Sequence, residues 1–159
     1  MPRRVRVTHV GVISDTHGLL RPEALTALHG SDLILHAGDV GRPQVLEALQ
    51  AIAPVVAIRG NNDKGTWADA LPTTEVVEIE TSALYLVHDL AELDLDPVAG
   101  QFAAVISGHS HRPSASVRGG VLYLNPGSAG PRRFSLPVAL ALLTVRGQTL
   151  RPKLIELRV

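Results

Sequence analysis

Val5-Arg6-Val7-Thr8-His9-Val10-Gly11-Val12-Ile13-Ser14-Asp15-Thr16-His17-Gly18 is a β-branched, apolar run that stops on a turn carrying an acid and an imidazole. Residues 5–13 predict a strand, and Ser-Asp-Thr-His-Gly supplies the turn that ends it. The pattern recurs down the chain. Residues 21–29 place Pro22 in a first turn and predict a short helix. Residues 33–36 predict a buried strand that halts at Ala37-Gly38-Asp39. Residues 43–52 set Val45, Leu46, Leu49 and Ile52 at helical spacing behind Pro43. Residues 55–58 predict a third strand, running at once into Arg59-Gly60-Asn61-Asn62-Asp63. Further strands are predicted over 75–79, 83–87, 103–107, 121–124 and 138–145, with brief connections. Strand–helix alternation followed by a strand-rich half predicts an α/β sandwich, two sheets facing each other with helices outside.

The 159 residues suit one domain, 1–159, and leave little room for two independent cores. No repeat, low-complexity tract or linker interrupts them. With 45% hydrophobic and 19% charged residues, the composition is that of a folded chain. Fifteen basic and fifteen acidic residues cancel, which argues against a passive coat on a nucleic-acid polymer. The absence of cysteine excludes disulfides, thiolate nucleophiles and iron–sulfur clusters. The longest apolar run, Val138 to Leu143, is far too short to span a bilayer. Met1-Pro-Arg-Arg-Val-Arg carries charge without an apolar signal core, so a cytoplasmic location and no membrane partner are expected.

Polar residues collect where the predicted strands end. Asp15 and His17 follow the first strand, Asp39 the second and Asn61 the third. His88 ends Leu84-Tyr-Leu-Val-His, and His109 and His111 follow in Gly108-His-Ser-His. Ligands in α/β folds gather at such carboxyl ends. On an extended segment, Asp15 and His17 would leave the same face, as would His109 and His111. Singly, each residue has an ordinary reading: a turn cap for Asp15, a tight turn at Gly38-Asp39, a satisfied structural imidazole for His88. Jointly they do not, because burying four imidazoles, two carboxylates and an amide without a shared cation is costly. His9, His29 and His36 read as structural, and Arg3, Arg4 and Arg6 as a solvated cluster. Asn125-Pro-Gly-Ser128 reads as a turn whose polar ends could line a cleft. Arg132, Arg133 and residues 137–141 are candidates for an interface between copies of the chain.

In their order, Asp15-x-His17, Gly38-Asp39, Gly60-Asn61-x-Asp63, His88 and Gly108-His109-x-His111 resemble the calcineurin-like metallophosphoesterases. Ile13-Ser-Asp-Thr-His-Gly, Ile34-Leu-His-Ala-Gly-Asp and Asn125-Pro-Gly-Ser resemble the small bacterial and archaeal phosphodiesterases among them. The resemblance implies a four-layer α/β/β/α sandwich of two mixed sheets. It implies that Asp15, His17 and His111 hold one metal, Asn61, His88 and His109 a second, and Asp39 bridges them. Asp39, Asn61 and His88 would be catalytic, with Asn61, Asn62 and His88 against the substrate. The ions so implied are manganese, zinc, iron, nickel or magnesium. Four imidazoles favour the transition ions, manganese first. A hydroxide bridging the ions would attack the phosphorus of a small phosphodiester in line. Two divalent ions, two carboxylates and a hydroxide leave one net positive charge, which suits a singly charged diester.

Two positions depart from the family. Asn62 stands where many relatives carry a histidine acid, and its amide cannot supply a proton near neutral pH. Asp63, which would orient such a histidine, is then expected to act as a structural acceptor. Asp89 stands where glycine is usual, and the sequence assigns it no role. The leading expectation is a metal-dependent phosphodiesterase. A non-catalytic interaction scaffold of the same fold and a nuclease are the alternatives, the last disfavoured by neutral charge and 3% aromatic content.

Overall fold

The computed structural model describes residues 6–159. Val5, where the first expected strand begins, and Arg3 and Arg4 lie outside the described residues. Two five-stranded mixed sheets face each other. The first holds β1 (Val7–Ile13), β2 (Leu33–His36), β3 (Val55–Ala57), β9 (Ala139–Arg146) and β10 (Thr149–Glu156), in the order β10-β9-β1-β2-β3. The second holds β4 (Thr74–Ile79), β5 (Ser82–Val87), β6 (Ala104–Ile106), β7 (Ser114–Arg118) and β8 (Val121–Asn125), in the order β4-β5-β6-β8-β7. Each sheet contains three parallel strands, β1, β2 and β3 in one and β5, β6 and β8 in the other.

Side-chain alternation explains the layers. Val10 and Val12 of β1 and Leu35 of β2 point inward, meeting Leu84, Leu86, Ile106 and Leu124 of the second sheet in a shared core. The opposite face of the first sheet presents Ile13, Ile34 and Leu140 to α1 (Pro22–Leu28) and α2 (Pro43–Gln50) through Leu28, Val45 and Leu49. Both helices begin on proline, whose missing N–H costs nothing in a first turn. The outer face of the second sheet is covered more thinly. Tyr85, Val87, Val105 and Val121 pack under Leu93, Leu95 and Phe102, in a segment whose regular structure is one 3₁₀ turn, Leu90–Glu92.

Besides the 3₁₀ turn, three elements were not expected from the sequence. The four-residue α3 (Thr66–Asp69) is too short to show a helical period. β7 is exposed along its length and carries no alternation. β10 contains Pro152, which an edge strand tolerates because that N–H has no inner partner to lose. No helix of the described residues is long and apolar enough to cross a membrane.

Candidate metal centre

All six parallel strands end toward the same place. Ser14-Asp15-Thr16-His17 follows β1, Asp39 follows β2 and Asn61 follows β3. His88 follows β5, Gly108-His109-Ser110-His111 follows β6, and Asn125 is the last residue of β8. The loops after β1 and β2 continue the parallel ladder beyond the strands: Asp15, His17 and Gly18 donate their backbone N–H groups to Gly38, Asp39 and Val40. The extended geometry expected for the Asp-x-His and His-x-His pairs is not found. Asp15, His17, Asp39, His109 and His111 all take left-handed backbone angles, with φ of 54, 46, 55, 68 and 62°. Each such residue costs of order 1–3 kcal/mol, sustained by the surrounding ladder. The left-handed turns, rather than strand alternation, aim these side chains at one point.

Close approach of the loops demands glycine at several of their corners, Gly38 and Gly108 among them. A Cβ at Gly38, where φ is +101°, would lie 2.6 Å from His88 Nδ1. One at Gly108 would lie 2.6 Å from Asp15 Oδ2.

The buried carboxylate of Asp15 is satisfied on one side only. Its Oδ2 accepts from the Ser14 hydroxyl at 2.6 Å and from the His109 backbone N–H at 3.0 Å. Its Oδ1 has no hydrogen-bond partner among the described residues and faces His111 Nε2 at 3.3 Å, His17 Nε2 at 3.7 Å and His88 Nε2 at 3.9 Å. His17 Nε2 and His111 Nε2 confront each other at 3.4 Å. Asp39 Oδ2 lies 3.2 Å from His88 Nε2 and 3.8 Å from His17 Nε2, placing this carboxylate between the two groups. His88 donates Nδ1–H to the Ala37 carbonyl at 2.7 Å, which leaves Nε2 facing the carboxylates without an aligned hydrogen bond. His109 Nδ1 is 3.2 Å from Asn61 Oδ1. Two clusters therefore have metal-ligand proximity: Asp15 with His17 and His111, and Asp39 with His88 and His109, which Asn61 adjoins. His111 Nδ1 is also buried without a partner.

Charge is tuned strongly here. Burial opposes ionisation of Asp39, but His88 and the Asn62 N–H outweigh it and hold the carboxyl down to about 2. Burial likewise opposes a charge on His88, and the adjoining Asp39 and Asp15 carboxylates override it, raising the imidazole to about 9. Asp15 is lowered despite its burial, by His111 and Ser14. This couples three carboxylate and imidazole groups so tightly that a cation entering the cluster would displace a proton.

The remaining residues divide into supports and bystanders. Asp63 acts as a structural acceptor, taking N–H bonds from Val40, Gly41 and Gly60 at 3.2, 2.9 and 2.9 Å. Asn62 donates its backbone and side-chain N–H groups to Asp39, at 2.8 and 3.2 Å, so it orients that carboxylate. His36 is fully buried and ties two loops together. Its Nδ1 accepts from Gly38 N–H at 3.1 Å and its Nε2 meets Thr16 Oγ1 at 3.0 Å, while that hydroxyl donates to Val40 O at 2.8 Å. Burial drives the His36 pKa down to about 4. Two supports were not expected. Asn125 donates Nδ2–H to Gly108 O and Ser110 Oγ, and Ser128 donates its hydroxyl to Asp15 O, so one turn braces both sheets' loops. The Asn-Pro-Gly-Ser sequence signalled the turn but not its partners. Arg132 and Arg133 are exposed.

Clefts of about 310 and 210 Å³ adjoin the second cluster. Arg59, Asn61, Lys64, His88 and His109 line the larger, and Ser110, Ser114, Arg118, Tyr123 and Asn125 the smaller.

Residues 9–148 match the calcineurin-like phosphoesterase superfamily domain. A probable metallophosphoesterase of Methanothermobacter thermautotrophicus is 34% identical, over 92% of this chain and 91% of that protein. The phosphodiesterase YfcE of Escherichia coli K12 is 30% identical, over 82% of this chain and 84% of its own. Among solved structures, Vps29 of Chaetomium thermophilum superposes with a TM-score of 0.82 at 19% identity, covering 95% of this chain and 88% of that one, a likeness of fold alone.

Proposed function

This chain belongs to the calcineurin-like phosphoesterase superfamily, and from that premise we propose that it is a dinuclear, metal-dependent phosphodiesterase of small substrates. The observation that carries this reading is the pair of buried, unpartnered ligand atoms, Asp15 Oδ1 and His88 Nε2, inside a set of imidazoles and carboxylates. Unsatisfied buried polar atoms cost of order 1–3 kcal/mol each, and divalent cations would satisfy both. The donor set fits such ions. Asp15, His17 and His111 would hold one, Asn61, His88 and His109 the other, with Asp39 shared. Imidazole-rich ligation favours manganese or another transition ion over magnesium. When bound, such ions lower the pKa of coordinated water and offset charge on phosphoryl oxygens.

The chain's own groups prepare that chemistry. Asn62 fixes both oxygens of Asp39, and the Ala37 carbonyl fixes the His88 tautomer so that Nε2 faces the site. Arg59 and Lys64 line the larger cleft together with Asp63, Asp89 and Glu92, so any excess of positive charge for a phosphodiester anion would come from the bound ions. The cleft is small and the chain's net charge is zero, which favours small substrates over a nucleic-acid strand. Asn62 already donates to Asp39 and is no proton source, so diesters with acidic leaving groups are expected to react faster than alkyl monoesters. A cytoplasmic setting is part of the same proposal.

The likeness of fold to Vps29 favours a second reading, a non-catalytic interaction scaffold. One experiment separates the two. Chelator-stripped protein is given manganese and assayed on bis(p-nitrophenyl) phosphate beside Asp39→Ala. Turnover that needs the metal and disappears in the variant supports the phosphodiesterase. Folded protein inactive with manganese, nickel, zinc, iron and magnesium in turn supports the scaffold.

A further inference from the structure

A phosphodiester has two arms, and two clefts meet at the second ligand cluster. His109 and Asp89 line both of them, so a phosphoryl group beside His109 faces an opening on either side. The smaller cleft follows paired residues of β7 and β8, Ser114 opposite Asn125 and then Ser116 opposite Tyr123. Residues opposite each other in an antiparallel pair share a face, and so do those two positions further on. Asn125 donates to the Gly108 carbonyl, so this end of the row abuts the cluster. Tyr123 lies two residues back along β8, a distance of about 7 Å. At that level the Arg118 guanidinium sits over the Tyr123 ring, 3.8 Å from its centre. Among the described residues no carboxylate pairs with it. A guanidinium over a ring is held by its flat face, while the N–H groups around its edge stay free to donate.

The hydroxyls along the way are donors too. Ser110 Oγ accepts from Asn125 Nδ2–H at 3.1 Å and from the Arg112 N–H at 3.2 Å. Both lone pairs are thereby used, which leaves its O–H to donate into the cleft. Asp89 is the one acid of the lining and stands at the cluster end, with Oδ1 on the Ala91 N–H. The far end is left rich in donors and positively charged.

We propose that the smaller cleft is the subsite for one arm of the diester, where Arg118 on Tyr123 selects an arm ending in an anionic oxyacid group, phosphate or carboxylate. The proposal rests on the phosphodiesterase reading for the chemistry, whereas the anion site belongs to the metal-free chain. The step from Asn125 to Tyr123 suits a short aliphatic chain between the diester and the terminal anion. Loss of a hydrogen bond to a charged group costs about 10–100-fold in binding.

Arg118 is exposed, so replacing it leaves the fold intact. Manganese-loaded wild type and Arg118→Gln are assayed on p-nitrophenyl diesters whose second alcohol is propanol, hydroxypropyl phosphate or hydroxybutyrate. The wild type should prefer an anionic arm to the propyl arm, through KM rather than kcat. Arg118→Gln should lose about 10–100-fold in kcat/KM on that arm and nothing on the propyl ester. Arg118→Lys, which keeps the charge without the fork, should retain part of the preference. The arm that is preferred identifies the oxyacid. Equal kcat/KM on all three esters, or a preference that survives Arg118→Gln, would overturn the proposal. A second readout needs no turnover: hydroxypropyl phosphate or hydroxybutyrate titrated into metal-free protein should shift the Tyr123 amide resonance saturably in the wild type and not in Arg118→Gln. No shift with either anion would also overturn it. A shift in protein that hydrolyses no ester with any metal would contradict the phosphodiesterase reading and leave the anion site standing.

Discussion

His36 shows how one buried ring can carry a pH dependence that belongs to the fold. Both of its nitrogens are engaged, by Gly38 N–H and the Thr16 hydroxyl, and burial holds its pKa at about 4 against 6.5 for an exposed imidazole. The unfolded chain therefore takes up a proton first as the pH falls. The His36 contribution is complete above pH 6.5 and is lost progressively toward pH 4, amounting to about 3 kcal/mol across that window. Denaturant melts of chelated protein at pH 7 and pH 4.5 should show this loss, and His36→Gln should flatten it. His88 behaves in the opposite sense. Raised to about 9, it carries a proton at neutral pH in metal-free protein, and a ligating cation must displace that proton. Metal affinity should therefore fall steadily as the pH drops below 9. Calorimetry in buffers of differing ionisation enthalpy should register proton release on binding at pH 7.5; release absent in every buffer would contradict the coupling.

Elements deliver these residues, and here the sequence was only partly legible. Apolar runs marked β1, β2, β3 and β5, most continuous in β2 and β5, which are buried along most of their length. The edge strands β7 and β10 leave no such trace. β7 is exposed and β10 mixes charge with Pro152, so neither stood out. The polar residues at strand ends were legible as a set, since acids and imidazoles interrupt apolar runs at fixed places. The way they are aimed was not. Strand alternation predicted a shared face for Asp15 with His17 and for His109 with His111, whereas left-handed turns supply the aim. Asn125 escaped notice as a brace because its partners, Gly108 and Ser110, are distant in sequence. Its deletion tests the brace. Asn125→Ala removes the bonds to Gly108 O, Ser110 Oγ and Gly127 N–H, and should destabilise the chain by about 1–3 kcal/mol in urea melts while weakening metal binding. A change under about 0.5 kcal/mol would assign the loop's order elsewhere.

At the scale of the molecule, the two sheets share one apolar core and one polar end. Asp15 and Asp39 belong to loops of the first sheet, and His88, His109 and His111 to loops of the second. A cation bound among them ties the sheets together where the core does not reach. Metal should therefore stabilise the folded chain, by about 2.7 kcal/mol at a hundredfold excess over Kd, or about 5–10 °C in Tm. Asp39→Ala, which removes the shared carboxylate, should lose most of that gain.

The dinuclear arrangement itself is tested most directly by anomalous diffraction from crystals grown with manganese. The account predicts two peaks per chain, one among Asp15, His17 and His111 and one among Asn61, His88 and His109, both reached by Asp39. A single peak, or peaks that avoid these side chains, would contradict it.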